Sequence, residues 1–490
     1  MNPMAIGATP NEIVWKNLKI KKTQRTLRRI LTRTIITLMI IFWAIPVAVV
    51  GAISNINYLE NIVPFLNFIN DIPTVILGVV TGLLPSVALS ILMSLVPVFC
   101  RWMARVSGEV TTPNVELKTQ NWYMAFQVVQ VFLITTFSSG AASVVSSIIN
   151  DPSSATDLLA QNLPKASNFY ISYFIVQGLG VAAGTLLNIG ALVVLTLVAK
   201  FLDKSPRKMF KRYMKLAGLG WGSLYPKIGN MCIIAITYSI IAPLVLGFAT
   251  VGFFFIYLAV RYNTFFVLTN NVDTKGRAYT LGIQQLMTGV YLGEVCLIGL
   301  FAINTAPGPI VLMVVFLVFT ALYHAAMRHA LKPLTNHLPD NLDGDDHVSM
   351  FSTADHKTYD AEKTGVPPTE APTVQPKKFS ATKASFFDRI FDPRKFKSYQ
   401  RVRSVVPQWA PPQYDARDEE FAYFNPAITS QVPNLWIVRD EMGISQREVR
   451  ESSAVIPITD ELARFDEKNK VVWDQANPLA APIYEKRIDY

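Results

Sequence analysis

Eight long stretches of apolar residues, separated by short polar or basic segments, run from Thr34 to Ala330, and a polar stretch of some 160 residues follows them. The stretches fall at 34–55, 74–99, 122–149, 168–200, 228–243, 245–268, 280–303 and 308–330. A helix needs about 20 mostly apolar residues to cross the hydrocarbon core of a bilayer. There the backbone must be satisfied internally, which continuous apolar runs of this length do as helices. The pattern therefore predicts an all-α polytopic membrane protein with eight transmembrane helices. The fifth and sixth stretches form one run too long for a single crossing. Pro243 lacks a backbone donor and divides it into a tight hairpin. The fourth stretch is longer than a span requires, which leaves room for tilt or a kink.

Basic residues orient the bundle. Lys16, Lys19, Lys21, Lys22, Arg25, Arg28, Arg29 and Arg33 precede the first span. Arg101, Arg105 and Lys118 follow the second, Lys200 to Lys227 supplies eight more after the fourth, and Arg261, Lys275 and Arg277 follow the sixth. The loops of the other face offer only Lys165. The positive-inside rule then places both the N-terminus and the tail in the cytoplasm, in a plasma or internal membrane. Four segments result: a basic pre-membrane segment at 1–33, the membrane domain at 34–330, a disordered Asp-, Thr- and Pro-rich linker at 331–384, and a cytoplasmic tail at 385–490 that is expected to be mostly disordered. Phe387, Phe391, Trp409, Tyr423, Phe424, Trp436 and Trp473 give that tail the means to anchor a small module or bind a partner.

The hydrophobic fraction of 51% fits this division, and the formal charge of +10 belongs to membrane flanks rather than to a nucleic-acid surface. Between Phe201 and Trp221, Met209, Phe210 and Tyr213 interleave with Lys208, Lys211 and Arg212. Such a mixture suits a helix lying against anionic headgroups, and equally a positive-inside determinant with aromatic anchors. Cys100, Cys232 and Cys296 lie in or beside spans without a close partner, so a disulfide framework or thiolate metal site is not expected.

Candidate chemistry is sparse. No Walker A loop, His-Glu-x-x-His or Gly-x-Ser-x-Gly motif occurs, and no enzyme, cofactor or metal site is expected. His324 and His329 sit at the end of the last span, in interfacial positions. Thr135, Ser139, Ser143 and Ser146 recur at i, i+4, i+8 and i+11 in the third span, on one helical face. A hydroxyl stripe can hydrate a passing cation or pack helices closely. The fourth span carries Gly178, Gly180, Gly184 and Gly190, with Gln177, Gly184 and Asn188 on a shared face. Gly180 and Gly184 have a small-xxx-small spacing, yet each glycine also weakens a helix by about 1 kcal/mol, so packing and hinging both stay open. Glu294 is an acid near the middle of the seventh span, a candidate for a structural hydrogen bond or for ion handling.

Several stretches resemble the hyperosmolality-gated, calcium-permeable, stress-gated cation channels (the OSCA group), in their fungal branch. They are Ser172 to Gly178, Pro206 to Phe210, Trp221 to Pro226, Ile236 to Pro243, Tyr257 to Asn263 and Gln285 to Glu294, in order between Pro10 and Pro333. Phe424 to Ile428 and Pro433 to Ile437 are similar to the C-terminal extension of fungal members. The resemblance implies an anoctamin-like bundle, usually dimeric, with a pore in each subunit formed by five consecutive spans that map onto the first five here. By that mapping Thr135, Ser139, Ser143, Ser146, Gln177 and Asn188 line the pore. Gly178, Gly180 and Gly184 form a gating hinge, Glu294 falls outside the pore in a structural role, and Lys208, Lys211 and Arg212 meet lipid headgroups. Full-length members begin with three further spans and a cytosolic domain, so this chain is expected to be a shortened form. Plant members place an acid directly after the equivalent of Gly184, where Thr185 stands here.

A mechanically or osmotically gated, non-selective cation channel follows as the expected function, passing potassium, sodium and in some measure calcium. The alternatives are a lipid scramblase of the same fold, or a non-conducting scaffold acting through the tail.

Overall fold

The protein is represented by a computed structural model that describes residues 8–54, 74–134, 136, 160, 163–193, 203–270, 272–336, 414–430, 432–467 and 469–484. Helices dominate the membrane domain. In chain order they are α1 (Lys22–Ile41), α2 (Ala44–Ser54), α3 (Thr74–Val106) and α4 (Thr112–Phe126), which continues as a π-helix over Gln127–Ile134. Then come α5 (Ser167–Leu187), α6 (Ile189–Val193), α7 (Pro206–Met214), α8 (Trp221–Ile241), α9 (Pro243–Phe266), α10 (Arg277–Ile303) and α11 (Pro307–Asn336).

Among the described residues, six helices are long and apolar enough to cross a membrane: Ala88–Val106, Ser167–Leu192, Trp221–Ile241, Pro243–Phe266, Arg277–Ile303 and Pro307–Lys332. The first expected span is divided between α1 and α2 by a turn at Phe42 and Trp43. Most of the third expected span beyond Ile134, and the end of the fourth beyond Val193, lie outside the described residues. The break at Pro243 is present: α8 stops at Ile241, Ala242 adopts φ −144° and ψ 80°, and Pro243 opens α9, where its missing donor is one a helix start does not need.

The core is aromatic at its centre. Phe132, Tyr170 and Tyr238 are fully buried together, with ring centroids 5.7 Å apart for Phe132 and Tyr170 and 5.0 Å for Tyr170 and Tyr238. Their hydroxyls are satisfied. Tyr238 donates to the Leu163 carbonyl at 2.8 Å, and Tyr170 to that of Phe132 at 3.1 Å. In a bilayer, where helix association gains little from hydrophobic burial, such packing and interhelical hydrogen bonds hold the bundle. A second cluster joins Ile36 and Trp43 to Val96, Cys100, Tyr123 and Phe126. Cys100 is wholly enclosed there.

The basic connections all meet on one face. Ile13 forms a bridge with Thr111, Gly218 with Thr269, and the Glu12 carboxylate accepts the Asp273 backbone N–H at 3.2 Å. These contacts bring together the N-terminal flank and the loops after the second, fourth and sixth expected spans. The grouping matches the charge asymmetry of the sequence.

The tail differs from the expectation of a mostly disordered segment. The stretch expected to form the linker lies outside the described residues beyond Asn336, but residues 414–484 contain folded structure. Strand β1 (Leu435–Trp436) pairs in parallel with β2 (Ile458–Thr459), and β3 (Ala463–Phe465) pairs antiparallel with β4 (Val471–Trp473). Helix α12 (Ile444–Ser452) begins where Asp440 accepts the backbone N–H groups of Ile444 and Ser445. The elements are too short to show periodicity, and two tryptophans supply the core instead.

Within this module the Ser445 backbone N–H, with further bonds from Ser445 and Ile444, holds the Asp440 carboxyl below its ordinary pKa. Burial alone would raise that of Asp460. The bonds from Arg439 and Ser445 outweigh it and bring the carboxyl below the usual range. Carboxyls depressed by folding stabilise the folded form above their unfolded pKa of about 3.9, and that stability is lost as pH falls through the folded values. Amide hydrogen exchange across 432–484 should therefore be flat, after correction for intrinsic rates, above about pH 5 and rise below about pH 4; acceleration beginning near neutrality would contradict these assignments.

Candidate functional site

The fourth span is where the bundle combines tight packing with a break. A methyl group built on Gly178 would stand 2.6 Å from Gly252 Cα, closer than any real side chain tolerates. One built on Gly252 would stand 3.2 Å from the Phe174 carbonyl oxygen. Helices α5 and α9 thus cross backbone to backbone at this point. Gly180 and Gly184, by contrast, have nothing within 4 Å of the equivalent position. The packing glycine is therefore Gly178, with a partner 74 residues along the chain, while among the described residues the Gly180/Gly184 pair has no packed neighbour.

One turn beyond Gly184 the helix breaks. Asn188 has φ 46° and ψ 45°, the left-handed conformation that asparagine tolerates better than most residues, and α6 resumes at Ile189. The turn tightens here: the Asn188 N–H bonds the Thr185 carbonyl at 3.3 Å. That carbonyl also accepts the Nδ2 donor of Asn263 from α9 at 2.6 Å, and the Thr185 hydroxyl turns back to the Val181 carbonyl at 2.6 Å. Asn263 is only 4% exposed. It straps the bend to a neighbouring helix. The sequence reading missed it, although a lone amide in an apolar span is costly unless it bonds protein or water, the criterion that singled out Gln177 and Asn188.

Gln177 is half-buried on α5, and Asn188 is half-buried at the bend, so the regular face drawn through Gln177, Gly184 and Asn188 ends at its last member. Thr135, Ser139, Ser143 and Ser146 lie outside the described residues. The helix leading to them is a π-helix over Gln127–Ile134, a geometry often found at functional positions in helices. Glu294 is 4% exposed, and its Oε1 accepts the Thr320 hydroxyl at 2.6 Å, which joins α10 to α11. The Tyr291 hydroxyl and His324 Nδ1 lie 3.1 Å apart along the same seam.

At α7, Lys208 and Lys211 are exposed and Arg212 is paired with both carboxylate oxygens of Asp203. Phe210 is 6% exposed, covered by Trp436 and Trp473 of the tail. Among the described residues no group of three or more His, Cys, Asp or Glu is arranged to hold a metal ion.

Several apolar helices, a backbone-close glycine crossing and a bent fourth span together define an integral, multi-pass α-helical membrane protein. The chain belongs to the family described as "calcium-dependent channel, 7TM region, putative phosphate", which it matches over residues 28–301. Residues 390–480 match a second family, described as "extracellular tail, of 10TM putative phosphate transporter". The chain is 36% identical to the protein RSN1 of Saccharomyces cerevisiae, over 98% of this chain and 58% of that protein. It is 47% identical to phosphate metabolism protein 7 of the same yeast, over 68% of this chain and 34% of the relative. Identity to the hyperosmolality-gated Ca2+ permeable channel 1.5 of Arabidopsis thaliana is 25%, over 66% of this chain and 43% of that one. The chain thus spans less than three-fifths of the length of these relatives. The resemblance noted in the sequence is confirmed at the level of family.

Two substitutions probe the geometry. Gly178→Ala should lower thermal stability in detergent by the ~1–3 kcal/mol typical of overpacking, whereas Gly184→Ala should leave it unchanged or slightly raised; equal effects at the two sites would refute the crossing. Asn263→Leu leaves the Thr185 carbonyl facing an apolar group, a change of about 1–3 kcal/mol. Amide exchange over 185–193 should then accelerate of the order of tenfold, with 221–241 unaffected.

Proposed function

We infer that the membrane domain is a mechanically or osmotically gated, weakly selective cation channel rather than an enzyme. Its conduit runs along the third and fourth spans and passes potassium, sodium and calcium. In this reading the domain has eight spans in an anoctamin-like arrangement, with the N-terminal flank and the tail in the cytoplasm, and full-length forms pair as dimers. The observation that carries the proposal is the division of labour within α5. Gly178 is fixed against Gly252, a few residues beyond it no described residue comes within 4 Å of a methyl group built on Gly184, and the helix then breaks at Asn188. A fixed crossing followed by a bend is what a two-state gate needs, because tension can favour a wider state only if part of the wall moves relative to the rest. The Arabidopsis relative's name, a hyperosmolality-gated Ca2+ permeable channel, supports the same class of activity.

Patch-clamp of the purified chain in liposomes under graded suction tests this. A cation current that rises with tension is expected, and Gly184→Ala, which stiffens the bend by about 1 kcal/mol of helix propensity, should shift the half-activating tension without loss of protein. Transfer of labelled lipid between leaflets with no current would replace the channel by a scramblase.

A further inference from the structure

Helix α7 has the composition of a lipid-facing helix, yet protein occupies its apolar face. Phe210 lies in a closed cluster with Trp436, Ala463, Trp473 and Ala481, and Met209 packs at its edge. The Phe210 ring meets that of Trp473 edge-on at 5.4 Å and that of Trp436 at 6.2 Å, and Tyr213 meets Trp473 at 5.3 Å. Trp436 and Trp473 are 4% and 7% exposed, so the contact excludes water from both indoles. The Trp436 indole N–H is itself satisfied by the Glu461 carbonyl at 2.7 Å. Polar contacts frame the cluster: the Arg207 guanidinium donates to the Asn434 carbonyl, and the Tyr423 hydroxyl donates to the Ala8 carbonyl at 3.0 Å. Charge matches as well. Residues 414–484 carry 13 carboxylates against 7 basic side chains, whereas 203–215 carries six basic residues and one acid.

We propose that the apolar face of α7 is the docking site of this chain's own C-terminal module, which acts as a clasp on the segment between the fourth and fifth spans. The module's core is incomplete without α7: Phe210 is the residue on which both tryptophans close. The clasp also fixes the side of the membrane on which the tail lies. Ala8 and α7 belong to the face where the basic connections meet, so the tail must sit on that face, the cytoplasmic one by charge. Its family description, an extracellular tail, assigns the opposite side. Headgroup contact by α7 is then left to its exposed Lys208, Lys211, Tyr213 and Met214, unless the clasp opens and Phe210 is freed. The docking stands whether or not the bundle conducts.

The test uses the full chain with a site-specific protease sequence placed within 337–413 and an N-terminal affinity tag. After cleavage in mild detergent the tail fragment should stay bound to the tagged bundle, and Phe210→Asp should reduce its retention at least tenfold. Loss of the fragment from the otherwise unaltered chain would overturn the proposal, an outcome that does not depend on whether the variant folds. Sidedness is read independently with Lys211→Cys and Lys470→Cys, each labelled by a membrane-impermeant maleimide in intact cells and after permeabilisation. Both should react only after permeabilisation. Labelling of Lys470→Cys from outside, with Lys211→Cys protected, would place the tail across the membrane from α7 and end the proposal.

Discussion

One buried carboxylate sets the frame for the rest of the bundle. Glu116 is 5% exposed at the base of α4, where Arg101 at the end of α3 grips it with both Nε and Nη2, at 2.5 Å and 3.2 Å. The same carboxylate accepts the backbone N–H of Gly222 at 2.9 Å, at the first turn of α8. A free helix N-terminus presents unpaired donors, and an anion placed there satisfies one of them and the helix dipole together. Gly222 has to be glycine, since a methyl group would stand 2.6 Å from the Glu116 carbonyl oxygen. Breaking a pair of this kind strands a buried charge, at about 3–5 kcal/mol. Three helices that share it behave as a unit. Gln120, one turn on, extends the unit to α10 by donating to the Ala278 carbonyl and to Gln285.

The aromatic group of Phe132, Tyr170 and Tyr238 carries the fixed frame inward, each tyrosine bonded to a backbone carbonyl of another segment. Helix α5 is held by Tyr170 and by the Gly178–Gly252 crossing along its first half. Past Gly178 it is held by the buried Val181 and Ala182 and, at the Asn188 break, by the Asn263 strap. A backbone-close crossing and a bend thus follow one another along a single helix.

The architecture was legible where one physical rule governs a long stretch. Apolar length marked the helices, proline chemistry marked the division at Pro243, and the gathering of lysines and arginines marked the face on which the loops meet. Features that depend on distant partners were not legible. Four glycines in the fourth span announce a special helix, but only the position of Gly252 shows that Gly178 is the one packed backbone to backbone against α9. Strands of two or three residues carry too little alternation to be seen, and the tail's core borrows Phe210 from another part of the chain.

The chemistry of α5 also bears on what a conduit beside it can distinguish, if the channel reading holds. Ser167–Leu187 contains no charged side chain. The position where plant members carry an acid is Thr185, and its hydroxyl is already committed to the Val181 carbonyl. A cation passing this wall therefore meets amide and carbonyl dipoles and half-exposed Gln177 and Asn188, with no fixed anion to draw a divalent ion from its hydration shell. Dipoles can replace part of that shell for either charge class, whereas strong preference for divalent ions rests on carboxylate rings. In the proposed channel such a wall would admit cations without ranking them sharply, and selectivity for calcium would have to come from groups outside α5.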